Sequence, residues 1–166
     1  DGSTDGTPAL LRRLGLSPLA QGRLRVLHVA HEGIAAALNA GLASARGSLI
    51  ARMDADDMAR PERLALQTDH LWNNPELDLS ASLVGFGGDR RLAHGFACFV
   101  DWQNSLRSHA EISRGRFRDT PVCHPSVMFR RSAVEKWGTY ADGNFAEDWE
   151  LWLRWLHNGA RMEKLP

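Results

Sequence analysis

The sequence predicts an α/β fold in which a mostly parallel sheet is flanked by helices. Two apolar segments, 24–29 and 48–53, are each followed by a segment that suits a helix, and the connections are short. Strands that alternate with helices in this way are typical of parallel sheets, because the crossover helices cover the faces of the sheet. Hydrophobic residues make up 43% and charged residues 24% of the 166 residues, which suits one globular domain with its own core.

The elements of the first half are predicted from turn residues and spacing. Thr7 is a candidate N-cap before Pro8, and Gly15 is expected to end the helix that starts there. The segment 33–47 repeats apolar residues four apart beside small ones, which indicates a helix that packs closely on a sheet. In chain order, we predict a helix to about Leu14, a strand over 24–29, a helix that Gly47 ends, a strand over 48–53 and a helix from about Pro61 to Trp72.

The second half is less regular, but its strongest signal is a helix over 147–158 that Gly159 ends. Before it, the pattern predicts a strand over 77–86, a helix over 101–112 and a strand from His124 that continues into a short helix. The last residues, "RMEKLP", suit an edge strand. Neither a repeat nor a low-complexity linker separates the halves, so residues 1–166 are predicted to form one domain.

The charge and cysteine content argue against several classes of protein. Lysine plus arginine and aspartate plus glutamate are 20 each, so the overall charge does not favour nucleic acid or an acidic membrane surface as the main partner. The two cysteines suit neither a disulfide framework nor a zinc site, and a reducing compartment is expected. The chain starts with "DGSTDGT" rather than methionine, and we interpret it as a piece of a longer protein.

Three aspartates follow the strand predicted at 48–53. Asp54, Asp56 and Asp57 can face a common point at the carboxyl end of that strand, where α/β sheets bind ligands. Mg²⁺ or Mn²⁺ takes one or two carboxylates together with phosphate and water oxygens, and such an ion would relieve the repulsion between the aspartates. A solvated acidic turn explains the same pattern, and the residues alone leave both interpretations open.

A second acidic group begins the helix over 147–158. Asp148 shares its helical face with Leu151, Trp152 and Trp155, so it is expected to be partly desolvated and to bind a proton more readily, as a general base should. Acidic residues in a first helical turn also complement the helix dipole without any chemistry, and periodicity alone favours this simpler role.

Taken singly, the other candidates have simpler explanations. His124 suits a hydrogen-bonded structural role, and Asp1 suits a turn. Trp102 and Trp152 can stack on a sugar, although core positions explain most of the tryptophans equally well.

Several motifs taken together resemble family 2 glycosyltransferases of the GT-A fold, which is Rossmann-like. They occur in this order: "DGSTDGT", "GIAAALNAGLASARGSLIARMDADD", "RPERL", "HPSVMFRR" and "AEDWELWLR". The resemblance covers nearly the whole chain. It implies that residues 1–75 bind the nucleotide and residues 76–166 form the acceptor side of a GT-A domain whose first strand, before "DGS", is absent from this sequence.

The resemblance also implies a reaction and its residues. Such enzymes transfer a sugar from a nucleotide diphosphate donor, here with UDP favoured, to an acceptor hydroxyl with inversion at the anomeric carbon. Asp1 matches the aspartate that holds the base, Asp54 the one beside the ribose, Asp56 the ligand of Mg²⁺ or Mn²⁺, and Asp148 the catalytic base. Glu147 and Trp152 match acceptor-side neighbours, and His124 matches a residue that lines the site. The acceptor would be a glycan or a lipid-linked sugar. A cytoplasmic location is expected, and the resemblance allows for peripheral association with the inner membrane face.

Two departures from the family pattern matter. Gly33 stands where a basic residue is common, and "LWLRW" lacks the glutamine of processive polysaccharide synthases, which favours a single transfer. Two alternative functions remain: a non-catalytic nucleotide-binding remnant, and a sugar nucleotidyltransferase. The second alternative would require a glycine-rich, basic phosphate loop, and the sequence shows none.

Overall fold

The computed structural model describes residues 2–18, 20 and 22–165. Asp1, one of the predicted site residues, therefore lies outside the described residues. The chain divides into two compact units, Asp1–Ala45 and Arg46–Pro166, which are described separately below. The organisation of 1–166 as one domain with halves at 1–75 and 76–166 stays a prediction.

The described residues of the first unit form two helices, α1 (Thr7–Gly15) and α2 (Ile34–Ser44). Both were predicted, but Thr7 is the first residue of α1 rather than its N-cap, and Asp5 Oδ1 accepts the Thr7 N–H at 2.9 Å. The strand predicted over 24–29 is wrong, because residues 24–30 form neither strand nor helix. A strand needs backbone hydrogen bonds to a neighbour, and the described residues of this unit contain no second strand that could provide them.

The second unit is built on a sheet of four strands among its described residues. The strands are β1 (Leu49–Ala51), β2 (Leu79–Ser82), β3 (Val127–Arg130) and β4 (Met162–Leu165), in the order β1-β3-β2-β4. β3 is antiparallel to β1 and to β2, whereas β4 is parallel to β2. Three strands therefore run in one direction and β3 opposes them. The predicted α/β class with helices around the sheet is confirmed, and so is the edge position of β4.

Five α-helices formed by the described residues of this unit lie around the sheet: α3 (Arg63–Asn73), α4 (His94–Ser105), α5 (His109–Gly115), α6 (Arg131–Trp137) and α7 (Glu147–His157). The single helix predicted over 101–112 is wrong, because the chain stops at Ser105 and starts again at His109. Ser108 caps α5 through a capping box with Glu111, and this reciprocal pair favours a new helix start over continuation.

Buried apolar residues of the core come from the sheet and from helices that include α3 and α7. Leu151, Trp152 and Trp155 are buried on one face of α7, as its periodicity predicted, and Leu156 is buried as well. Trp155 packs edge-to-face on Phe129 of β3, with ring centroids 5.5 Å apart. This packing fixes the N-terminus of α7, where the acidic residues lie, relative to the sheet.

Candidate active site

The aspartate segment begins directly after β1. The Arg52 N–H donates to the Val127 carbonyl at 3.0 Å and so extends the pairing with β3 by one residue. The half-buried Asp54 accepts a hydrogen bond from the Arg52 guanidinium at 2.5 Å, whereas Asp56 and Asp57 are exposed. The segment therefore presents one carboxylate held by an arginine and two carboxylates open to solvent.

Arg63 of α3 holds the backbone beneath this segment. Its guanidinium donates to the carbonyls of Arg52 and Val127 at 2.7 and 3.2 Å. Burial lowers the pKa of Arg63 and the Asp57 carboxylate raises it, so Asp57 offsets part of the burial of this positive charge. Arg63 thereby fixes the end of β1 against β3 and sets where the aspartates lie.

Asp148 is half-buried in the first turn of α7. Its Oδ1 accepts the Trp149 N–H at 2.8 Å, and its Oδ2 lies 3.4 Å from the Thr120 hydroxyl. Burial is the main cause that raises the pKa of Asp148, and Glu147 adds a like charge. The expected increase in proton affinity is confirmed, and a carboxylate in this state suits general base chemistry.

His124 lies in a turn before β3 and connects the acidic helix to the core. It is 7% exposed, shares a 2.7 Å hydrogen bond with the Tyr140 hydroxyl and has Nδ1 3.8 Å from the Glu147 carboxylate. Burial, with a smaller effect of Arg52, lowers the pKa of His124 to about 3. The imidazole is therefore neutral at ordinary pH, and it lies beside the Glu147 carboxylate without adding a charge.

Trp152 is placed differently from the expectation that it contacts an acceptor. Its side chain has no exposed surface, and its ring packs edge-to-face on His124 and Trp155 with centroids 5.9 and 5.7 Å away. A ring enclosed in this way cannot stack on a sugar in this conformation, since both faces are occupied by protein. It supports His124 from behind.

Cys123 shows that the two acidic segments lie within electrostatic reach of one thiol. The pKa of Cys123 is raised to about 11, mainly by burial and to a smaller extent by the carboxylates of Asp57 and Asp148, while Lys164 and Arg52 act in the opposite direction. The carboxylates of Asp57, which follows β1, and of Asp148, in the first turn of α7, therefore both act on the buried Cys123 thiol. The predicted roles of Asp54, Asp56, Asp148, Glu147 and His124 stay predictions, but all five belong to this unit.

Sequence reasoning missed the neutralising and supporting side chains of this region. Arg52 and Arg63 stand inside the quoted motifs without an assigned role, and Thr120 lies in a stretch with no periodic signal. Arg52 could have been found, since an arginine two residues before an aspartate in extended chain can lie beside it. Thr120 and Asp148 are 28 residues apart along the chain, so no local sequence pattern predicts their contact.

A cavity of about 610 Å³ runs along the outer side of α7. Its apolar lining includes Phe117, Phe145, Trp149 and Leu153. None of the predicted site residues that the structure describes lines it, although Trp149 and Glu150 beside the predicted base do.

Comparison with known proteins is consistent with this geometry. The model of the family described as "Glycosyl transferase family 2" matches residues 1–138. The chain is 33% identical to the amylovoran biosynthesis glycosyltransferase AmsE of Erwinia amylovora over 81% of this chain and 48% of that protein. It is 29% identical to the UDP-Gal:alpha-D-GlcNAc-diphosphoundecaprenol beta-1,3-galactosyltransferase of Escherichia coli, over 80% of this chain and 46% of that protein.

The fold is also that of a solved glycosyltransferase. The mannosyltransferase PcManGT of Pyrobaculum calidifontis, in complex with GDP-Man and Mn²⁺, has a TM-score of 0.69 and 23% identity, over 99% of this chain and 43% of that one. This likeness shows a GT-A fold. The chain spans about half the length of the curated relatives it matches.

Proposed function

Because the chain belongs to glycosyl transferase family 2, we propose that it contributes the catalytic core of a metal-dependent inverting glycosyltransferase in glycan or polysaccharide synthesis. The donor is a nucleotide diphosphate sugar, with a UDP-sugar favoured. The observation that carries the proposal is the half-buried Asp148 carboxylate in the first turn of α7, which accepts hydrogen bonds from the Trp149 N–H and the Thr120 hydroxyl and whose pKa is raised mainly by burial.

Asp148 is the proposed catalytic base. The acceptor oxygen forms a bond to the anomeric carbon while the bond from that carbon to the diphosphate oxygen breaks. The acceptor hydroxyl proton moves to the Asp148 carboxylate, and the nucleotide diphosphate leaves with the bonding electron pair. Attack opposite the leaving group inverts the anomeric carbon. Burial raises the pKa of Asp148, which strengthens the proton affinity of the base.

The segment after β1 is the proposed donor side. Asp54, oriented by Arg52, is the proposed acceptor of hydrogen bonds from the nucleoside, and Asp56 is the proposed ligand of Mg²⁺ or Mn²⁺. Within the described part of the chain, His, Cys, Asp and Glu side chains nowhere form a group of three or more that could hold a metal. An exposed carboxylate fits an ion that donor phosphates and water complete, since Mg²⁺ often takes only one or two protein ligands. Such an ion would neutralise charge on the departing diphosphate.

Other residues complete the proposal. Glu147 and His124, which lie beside each other, are the proposed acceptor-side residues, and Trp152 supports His124. Asp1 is the proposed partner of the nucleotide base. The acceptor is a glycan or a lipid-linked sugar, as the diphosphoundecaprenol in the name of the Escherichia coli relative suggests for this kind of enzyme. Among the described residues, no helix combines the length and apolar character that a membrane crossing needs.

The base assignment is tested with Asp148→Asn in the full-length protein. We expect transfer to fall by a factor of about 100 or more while donor affinity in calorimetry is unchanged, because Asn fits the space but accepts no proton. Asp142→Asn, an exposed neighbour before α7, is the matched control and should transfer normally. Normal turnover of Asp148→Asn would refute the assignment. Nucleotide binding without transfer by the wild type would favour the non-catalytic alternative.

The metal assignment needs a separate titration. Mn²⁺ should raise the donor affinity of the wild type by about tenfold or more, and Asp56→Ala should lose most of this gain. Asp69→Ala, at an exposed position on α3, should keep it. A donor affinity that is the same with and without Mn²⁺ would contradict metal dependence. Inversion is tested separately, by NMR of the anomeric configuration of the product.

A further inference from the structure

A buried lysine on the edge strand lies at one end of a polar chain that reaches Asp148. Lys164 of β4 is 7% exposed, and its ammonium donates to the carbonyls of Gln103 and Pro121, the latter at 2.7 Å. Burial lowers the pKa of Lys164 to about 8, so the ammonium is still the main form near pH 7. A buried ammonium is unfavourable unless it is hydrogen-bonded, and here backbone carbonyls provide these bonds.

Gln103 of α4 holds the next link of the chain. It is 2% exposed, and its amide donates to the Thr120 carbonyl at 2.9 Å. The carbonyls of Thr120 and Pro121 are thus fixed by two buried side chains. These two residues lie outside helices and strands, so their backbone groups have no ladder and depend on such side chains.

The Thr120 hydroxyl reaches Asp148 from this fixed backbone. Its Oγ1 lies 3.4 Å from Asp148 Oδ2 and 3.3 Å from the Val122 carbonyl. The hydroxyl has one proton, and a charged carboxylate is the stronger acceptor. While Asp148 is ionised, the proton therefore points to Asp148, and once Asp148 has accepted a proton the hydroxyl can turn to Val122.

We propose that Lys164 and Gln103 are positioning residues that hold the Thr120 hydroxyl against the Asp148 carboxylate and so tune the catalytic base. The proposal rests on the proposed function, in which Asp148 takes the acceptor proton. The hydrogen bond favours the ionised carboxylate and opposes the effect of burial on its pKa. The other titratable groups around Asp148 are Glu147 on the same helix, the Cys123 thiol and the Tyr140 hydroxyl.

The test is the pH dependence of kcat/KM in the full-length enzyme. Thr120→Val removes the hydroxyl and should move the acid limb to higher pH by about half a unit or more, since a hydrogen bond to the ionised base is lost. Lys164→Met should move the limb in the same direction, and the double variant should shift no further than the larger single shift. Thr120→Ser keeps the hydroxyl and should retain the wild-type limb, as should Lys136→Met, which removes an exposed lysine.

Two results would overturn the proposal. If Thr120→Val moves the acid limb and Lys164→Met does not, Lys164 contributes to the fold and does not position the Thr120 hydroxyl. Equal and additive shifts would mean that the two residues act independently. If Lys164→Met does not fold, Gln103→Met is judged by the same criteria, because it removes the donor to the Thr120 carbonyl and leaves the ammonium.

Failure of the proposed function would give a different result. Asp148→Asn with normal turnover would remove Asp148 as the base, whatever the other variants do. An inactive Asp148→Asn together with unmoved acid limbs in the Thr120 and Lys164 variants would refute only the positioning role.

Discussion

His124 makes the stability of the fold depend on pH, and the size of the effect follows from its burial. The pKa of His124 is about 3 in the folded protein, mainly because of burial, against about 6.5 for an exposed histidine. Between these values the unfolded chain binds a proton that the folded protein does not, so stability falls as the pH falls below about 6.5. At about pH 5 the loss is about 2 kcal/mol, and this figure depends little on the folded pKa while that pKa lies well below 5.

The assay compares urea unfolding at about pH 7.5 and about pH 5, followed by tryptophan fluorescence, in three proteins. His124→Gln should lose about 2 kcal/mol less than the wild type on acidification, because it no longer contributes a proton-binding site to the unfolded chain. His157→Gln, at an exposed position at the end of α7, should lose as much as the wild type. Burial also lowers the pKa of His109, which adds a slope common to all three. Equal losses in the wild type and His124→Gln would refute the reasoning.

Three further substitutions test the packing that holds the site. Gln67→Leu removes buried hydrogen bonds to the carbonyls of Ser80 (2.8 Å) and Ser126 (2.9 Å), and denaturant unfolding should show that the free energy of unfolding falls by about 2–4 kcal/mol. The control Asn73→Leu, at an exposed position, should change it by less than about 0.5 kcal/mol. Arg154→Met removes bonds to Trp137 and Thr139 and to Glu150, so the Tm should drop by several degrees, and an unchanged Tm would show that this network is dispensable. Gly138→Ala should destabilise the fold by about 1–2 kcal/mol, because φ at this position is +91° and a Cβ would lie 2.8 Å from the Arg154 guanidinium. The control Gly41→Ala, inside α2, should raise the Tm slightly.

The elements that were predicted correctly are those whose signal lies within a few neighbouring residues of the sequence. In α7, spacing alone placed Leu151, Trp152 and Trp155 on the buried face, because helix periodicity assigns a face without knowledge of the partner. The break between α4 and α5 was also readable from Ser108 and Glu111, whose capping-box spacing outweighs the apolar residues around it. The strand predicted over 24–29 was wrong, because β structure requires a partner and one segment does not reveal whether a partner exists.

In the candidate site, too, the sequence predicted the properties that depend on neighbouring residues and missed the contacts between distant ones. The raised proton affinity of Asp148 follows from its apolar helical neighbours, which the sequence shows. Thr120 and Cys123 come to this region from one loop and Lys164 comes from β4, and only tertiary packing brings them together. Buried Trp152 illustrates the same point, since one face of a helix can meet either a ligand or the core, and residues elsewhere in the chain decide which.

The reversed central strand has a consequence for synthesis on the ribosome. Among the described residues, β1 pairs only with β3, and β2 pairs with β3 and β4, although about 75 residues separate β1 from β3 along the chain. At roughly 5–20 residues per second, translation leaves β1 without this partner for about 4–15 s. During this interval Leu49 and Ile50 lack the cover of β3 and are exposed to premature association. A nascent chain of this protein is therefore expected to engage chaperones until β3 has left the exit tunnel, and to complete its core only when α7 and β4 have followed.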